Sequence, residues 1–466
     1  MALRAMARVA GFLVWAALAA CQKTSGETPP RPLALAMSVG PPTAPMPSGS
    51  ANAGLAAAVP DKATCNAIDK SAYDLGPLDP KLSAVPIGPI VDESHALDPF
   101  YARLAHLVRG KAKDHVRIAV YGDSNMTMDY ITGAMRRLLQ GKFGDGGHGY
   151  VAMARPWGWY HHMDVNQQLG ESKWKKISTS TDHVSDGHYG FANVATESST
   201  PGAYSWVATA DDSQPIGKAV SSIDLFYMKR PMGGSFTVKV DDERAVVIDA
   251  AQAETTAAFE HFDMPDGPHK LEVTVNTGNV RLFGAALERK TPSIIVDSLG
   301  TGALNYEQML HVSDASRRPM LQRRRYDLVV FLIGTNLFAP AWHEKWMAKD
   351  IGDIESAVPN TPILILSPPD IELHRDDTHS DPRIVALAKQ LADIAKRHDW
   401  GFWDFRAAMG GDMSMIRFAK AGLGAWDLVH LTHDGGTLMG NRFAHAIFEG
   451  FDQYLKAHPD AGCDDE

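Results

Sequence analysis

In "RIAVYGDSNM", residues 117–126, an apolar run that reads as a buried strand ends in Gly-Asp-Ser, and the residues after it recur at helical spacing. Ser124 at such a junction has two uses. It can cap the following helix, or it can project its hydroxyl into the crevice at the carboxyl ends of an α/β sheet, where a helix N-terminus favours developing negative charge. A serine nucleophile needs a base, because its hydroxyl is a weak attacker at its own pKa. The stretch "WDLVHLTHDGG" supplies one: Asp427 and His430 stand three apart, so a turn lets the carboxylate hold one imidazole nitrogen and leaves the other for the serine proton. His433, six residues from Asp427, is the rival base and is less well placed to share that turn. Acyl transfer also needs donors for an oxyanion. Asn336 closes "FLIGTN" and offers a side-chain amide, and Gly302 in "VDSLGTGAL" offers an unobstructed backbone N–H.

These residues need elements to bring them together. The runs "VRIAVYG" (116–122), "SIIVDSLG" (293–300), "YDLVVFLIG" (326–334), "PILILSPP" (362–369) and "GFWDF" (401–405) alternate with helix-like stretches such as "DPRIVALAKQLADIAKRHDW". That pattern predicts an α/β domain with a buried parallel sheet over 63–154 and 291–460. From 155 to 290 the runs shorten and become β-like ("SSIDLFYMKR", "GSFTVKVDD", "HKLEVTVNT"), separated by turn residues such as "PMGG" and "NTGN". An all-β insertion, a sandwich or jelly roll, is expected there. The aromatic and histidine clusters "WGWYHHM" and "DGHYGF" suit either the wall of a sugar groove or the core of that module. His161, His162, His183 and His188 show no recognised metal-ligand spacing, and no metal or cofactor is expected.

Composition sets the setting. The 466 residues carry a formal net charge of −10, against the basic face of a nucleic-acid binder, so no nucleic-acid partner is expected. Residues 1–21 have Arg4 and Arg8 ahead of a short apolar stretch, which reads as a signal peptide, and its final Leu-Ala-Ala-Cys resembles the bacterial lipoprotein lipobox, which implies that Cys21 is acylated. Residues 22–62, rich in Pro, Ala and Ser, read as a tether. With Cys21 used in lipidation, Cys65 and Cys463 remain, one near each end of the folded part, and in an oxidising compartment they are expected to pair. The expectation is a monomeric, exported, lipid-anchored protein at the periplasmic or cell-surface face. Gln22 after the acylated cysteine resembles the outer-membrane sorting signal of bacterial lipoproteins.

Taken in order, "GDSN", "DSLGTGA", "GTN" and "DLVHLT" resemble the four sequence blocks of the SGNH (GDSL-type) hydrolases, with Leu337 where an Asp often follows the third. The resemblance implies a flavodoxin-like three-layer domain. It also implies Ser124 as nucleophile, Asp427 and His430 as its partners, and an oxyanion hole from Ser124, Gly302 and Asn336. The β-rich insertion after the first block, with "FGDGGHGYV" and "FWDFRAAMGG", is similar to the layout of bacterial peptidoglycan and cell-envelope polysaccharide O-acetylesterases. That implies removal of O-acyl groups, chiefly acetyl, from an acylated glycan, the expected partner. A glycan O-acyltransferase with the same three residues, or a non-catalytic glycan-binding lipoprotein, are the alternatives.

Overall fold

The computed structural model describes residues 65–168, 173–337 and 344–464. The signal segment, the lipidation site Cys21 and the tether lie outside the described residues. The parallel sheet comprises β1 (Val116–Gly122), β2 (Ile294–Gly300), β3 (Leu328–Leu332), β4 (Ile363–Leu366) and β5 (Gly401–Trp403), in the order β2-β1-β3-β4-β5. This is the flavodoxin-like order, in which ligands bind beyond the carboxyl ends at the switch between β1 and β3.

The longer helices are α1 (Asp98–Val108), α2 (Tyr130–Phe143), α3 (Asp314–Arg324), α4 (Glu344–Ala357), α5 (Pro382–Arg397) and α6 (His433–Ala457). Alternate strand residues serve opposite faces, because side chains of a strand alternate. Ile118, Val120, Val296, Val330 and Leu364 pack with Leu104 of α1, Met135 of α2 and Phe443 of α6. Ala119, Tyr121, Leu299, Phe331 and Ile365 face the other way, into a core shared with Met320 of α3, Ile351 of α4 and Leu391 of α5. Both faces are covered, which is why these strands read as unbroken apolar runs.

The insertion forms two antiparallel sheets, six- and five-stranded among the described residues, and Tyr227 of one meets Phe236 of the other edge-on at 5.1 Å. Its core is continuous with the second face of the parallel sheet. One boundary differs from the sequence expectation. Strand Gly149–Ala152, assigned above to the α/β domain, pairs with Val280–Glu288 of the insertion. "GYVA" is too short for its period to decide a partner; tertiary contacts decide it instead. The Tyr150 N–H donates to Asp297 of β2 at 2.8 Å, and Arg324 of α3 spans Asp297 (2.7 Å) and Glu288 (2.7 Å). Glu288 also receives Arg117 of β1 at 2.8 Å. The last strand of the insertion is thus bolted to β1, β2 and α3 by buried ion pairs, and the first is tied to β2 by the Tyr150 hydrogen bond.

At the chain ends Cys65 and Cys463 form a disulfide across 398 residues of sequence. Arg109, just past α1, donates to the carbonyls of Asn66, Pro459 and Ala461 in the same region.

A buried histidine pair sits where the insertion begins. His148 Nε2 and His162 Nδ1 are 3.1 Å apart, each almost fully buried. Burial first, then the Arg136 guanidinium, holds His148 well below its usual value; burial, only partly opposed by Asp129, lowers His162 to about 4. Both are neutral in the fold, whereas the unfolded chain protonates them near 6.5. The unfolded state therefore binds more protons below that pH, so stability is full above about 6.5 and is lost as pH falls towards about 4. Denaturant unfolding at stepped pH is expected to show this loss, up to about 1.4 kcal/mol per pH unit for each group, and His162→Gln to flatten the slope.

Candidate active site

The site is built at the exits of β1, β2 and β3. After β1 the chain turns through a short 3-10 segment, Ser124–Met126, and α2 starts only at Tyr130. Of the two uses weighed for Ser124, capping the long helix is therefore not the one found, since that helix is preceded by Asp129. The N-terminus nearest the serine is a single 3-10 turn, capped by Asp123, which accepts from the Asn125 N–H at 3.2 Å.

His430 Nε2 lies 2.8 Å from Ser124 Oγ, and His430 Nδ1 lies 2.7 Å from Asp427 Oδ2. Nδ1 carries the proton towards the carboxylate, and Nε2 accepts the serine hydroxyl. The geometry of the pair is local. Asp427 Oδ1 accepts from the Val429 (2.9 Å) and His430 (3.0 Å) N–H groups, folding the loop around its own carboxylate. Buried Leu428 anchors the turn in a left-handed conformation, φ 61°. Burial acts to raise the Asp427 carboxyl, but the hydrogen bonds from the His430 ring and from the two N–H groups outweigh it and hold the group below the ordinary carboxylate range. His433 is the first residue of α6, half-exposed, with Nδ1 on Asp434 at 3.1 Å. The rival base thus faces its own neighbour.

Ser124, Gly302 and His430 line one cleft of about 740 Å³. Asn336 is not on its wall. It follows β3 at the same sheet edge, with Nδ2 buried and unpaired among the described residues, a donor without a protein acceptor. Leu337, in place of the frequent Asp, is a core side chain.

Two residues that the sequence reading passed over hold the parts together. Asp123 is buried, and its Oδ2 accepts from the N–H groups of Gly334 (3.2 Å) and Thr335 (2.9 Å), fixing the loop that carries Asn336. Burial raises the Asp123 carboxyl, opposed by the N–H groups of Asn125, Gly334 and Thr335. Asn125 Nδ2 donates to the Val429 carbonyl at 3.3 Å and its Oδ1 accepts from the Leu431 N–H at 3.0 Å, bracketing His430. Their adjacency to the serine in "GDSN" was the available signal.

The opposite wall comes from the insertion: Trp157, Trp159, Lys176, Ser178, Ser180, Thr181 and Asp182. The cluster "WGWYHHM" divides. Its two tryptophans line the cleft, whereas Tyr160 and His162 are buried. In "DGHYGF", Tyr189 and Phe191 belong to the core. Among the described residues no group of three His, Cys, Asp or Glu is placed to hold a metal ion.

No protein-family model and no curated protein matches the chain. Among solved structures, a peptidoglycan O-acetylesterase superposes with a TM-score of 0.66 at 20% identity, over 78% of this chain and 100% of that one. The fold is that of the SGNH hydrolases. Two further structures match at a TM-score of 0.26. One is a family two carbohydrate esterase from Cellvibrio japonicus (11% identity, 62% of this chain, 99% of that one), the other a lipase/acylhydrolase from Enterococcus faecalis (16%, 34% and 77%).

Within this SGNH fold the contacts of Asn125 give a test of positioning. Asn125→Ala removes both bonds to the His430 loop, and Asn125→Asp keeps only the acceptor for Leu431. Displacing a catalytic group by about 1 Å costs roughly 100-fold. Steady-state ester hydrolysis is expected to fall in kcat by about 10- to 100-fold for the alanine variant and less for the aspartate variant, with KM little changed.

Proposed function

We propose that the protein is a serine esterase that removes O-acyl groups, chiefly acetyl, from a polysaccharide of the cell envelope. The observation that carries this reading is the continuous chain of short contacts from Asp427 through His430 to Ser124 Oγ, open to a cleft of about 740 Å³. The peptidoglycan O-acetylesterase that shares the fold supports the substrate class.

In this mechanism Ser124 Oγ attacks the ester carbonyl while His430 Nε2 takes its proton. Asp427 keeps the ring in the tautomer with Nδ1 protonated and stabilises the imidazolium that forms. The oxyanion receives the Ser124 and Gly302 N–H groups and Asn336 Nδ2, the buried donor that has no partner within the described protein. His430 returns the proton to the leaving sugar oxygen. Water, activated by the same imidazole, then cleaves the acyl-enzyme.

Export and lipid anchoring through Cys21 belong to the same proposal. The Cys65–Cys463 disulfide supports an oxidising compartment, where such bonds persist.

Protein lacking residues 1–62 is expected to hydrolyse 4-nitrophenyl acetate and to release acetate from O-acetylated peptidoglycan. Ser124→Ala and His430→Ala should each lose about four orders of magnitude or more in kcat. Asn336→Ala should lose about 100- to 1,000-fold with a nearly constant KM. A Ser124→Ala variant as active as wild type would overturn the reading.

A further inference from the structure

The catalytic reading does not account for Lys176. It lies on the strand Lys175–Ser178, paired with Thr196 of the neighbouring strand, so its backbone is fixed within a sheet. It is half-buried and lines the same cleft as Ser124 and His430, yet it makes no hydrogen bond or ion pair among the described residues. A cation that lines a cleft with no protein counter-charge is available to an anion brought by a ligand, and charge-assisted hydrogen bonds are among the stronger ones. The one carboxylate on this wall, Asp182, is occupied otherwise: its Oδ2 accepts the Thr181 hydroxyl at 2.8 Å.

The surroundings suit a sugar. Trp159 is 63% exposed, an unusual state for so large an apolar ring. It stands on the cleft wall with Trp157, which packs edge-on against Tyr160 at 5.0 Å. That segment is held from below, because the Tyr160 hydroxyl accepts the Ala152 N–H (2.9 Å) and Asp129 accepts the Met163 N–H (3.0 Å). An exposed indole on an anchored segment offers an apolar face for a pyranose ring, and Ser178, Ser180 and Thr181 add hydroxyls to the same cleft. With a formal net charge of −10, the molecule as a whole does not attract anions, so recognition of one has to come from a local cation.

We infer that Lys176, with the Trp159 platform, forms a subsite for an anionic group, carboxylate or phosphate, carried on or next to the acylated sugar. The substrate would then be an acidic glycan rather than a neutral one. The inference rests on the glycan-esterase reading for its substrate class, but a binding measurement tests it without turnover.

The probes are O-acetylated cellotetraose, the same oligosaccharide oxidised to carboxylate at C6, and the same oligosaccharide phosphorylated at C6. Calorimetric affinities are measured on Ser124→Ala protein, alone and combined with Lys176→Gln, Lys176→Arg or Trp159→Ala. Ser124→Ala protein is expected to prefer at least one anionic probe over the neutral one by about 10-fold, with the preference shrinking as salt is raised. Lys176→Gln should bring the ratio close to one and Lys176→Arg should restore it, while Trp159→Ala should weaken all three probes together. Which anionic probe gains distinguishes carboxylate from phosphate. Equal binding of charged and neutral probes, or a preference that survives Lys176→Gln, would overturn the inference. Failure of wild type to release acetate from any of the three would instead count against the esterase reading and leave the binding ratio to decide on Lys176.

Discussion

The site depends on a close approach that only glycine permits. Gly122 ends β1 and pairs in register with Gly300 at the end of β2 and Leu332 at the end of β3, so three strand ends coincide at one edge. The Ser124–Met126 turn lies directly on that edge. A Cβ at Gly300 would sit 2.6 Å from the Met126 carbonyl oxygen, and one at Gly122 would sit 2.1 Å from Met126 Cγ. With both positions bare, Met126 is driven into the core and the serine hydroxyl is left pointing to the base. Asp123 and Asn125 then extend this fixed point to the neighbouring loops by hydrogen bonds alone.

The insertion is part of the same construction. A buried ion pair gains little net stability over well-packed apolar groups, but losing one partner leaves an uncompensated charge. The Arg117–Glu288–Arg324–Asp297 chain therefore specifies how the two antiparallel sheets seat on the α/β core. With that seating fixed, the tryptophans and Lys176 face the serine across the cleft.

The parallel strands were legible because both faces are buried and each strand is an unbroken apolar run. Ser124, Asp427 and His430 were legible because each sits at the end of such a run or in a compact turn, and the geometry joins them directly. The bracing roles of Asp123 and Asn125 were not, since the partners that define them lie 211 to 306 residues away and adjacency to Ser124 names the residues without naming those partners. Strand Gly149–Ala152 escaped for the same reason, its partner being more than a hundred residues downstream. The two tryptophans and the two aromatic neighbours in "WGWYHHM" follow one another along the chain but separate into cleft and core, a division set by tertiary packing rather than by period.

Ser124 and His430 are separated by 306 residues, with the entire insertion between them. A growing polypeptide therefore presents Ser124 early and His430 almost last, after every described strand of both architectures has been synthesised. No N-terminal fragment, stalled chain or proteolytic product that ends before His430 contains both ends of the Ser124–His430 contact. Asp427, His430 and Ser124 come together only in a chain synthesised at least as far as His430, after the whole insertion has emerged.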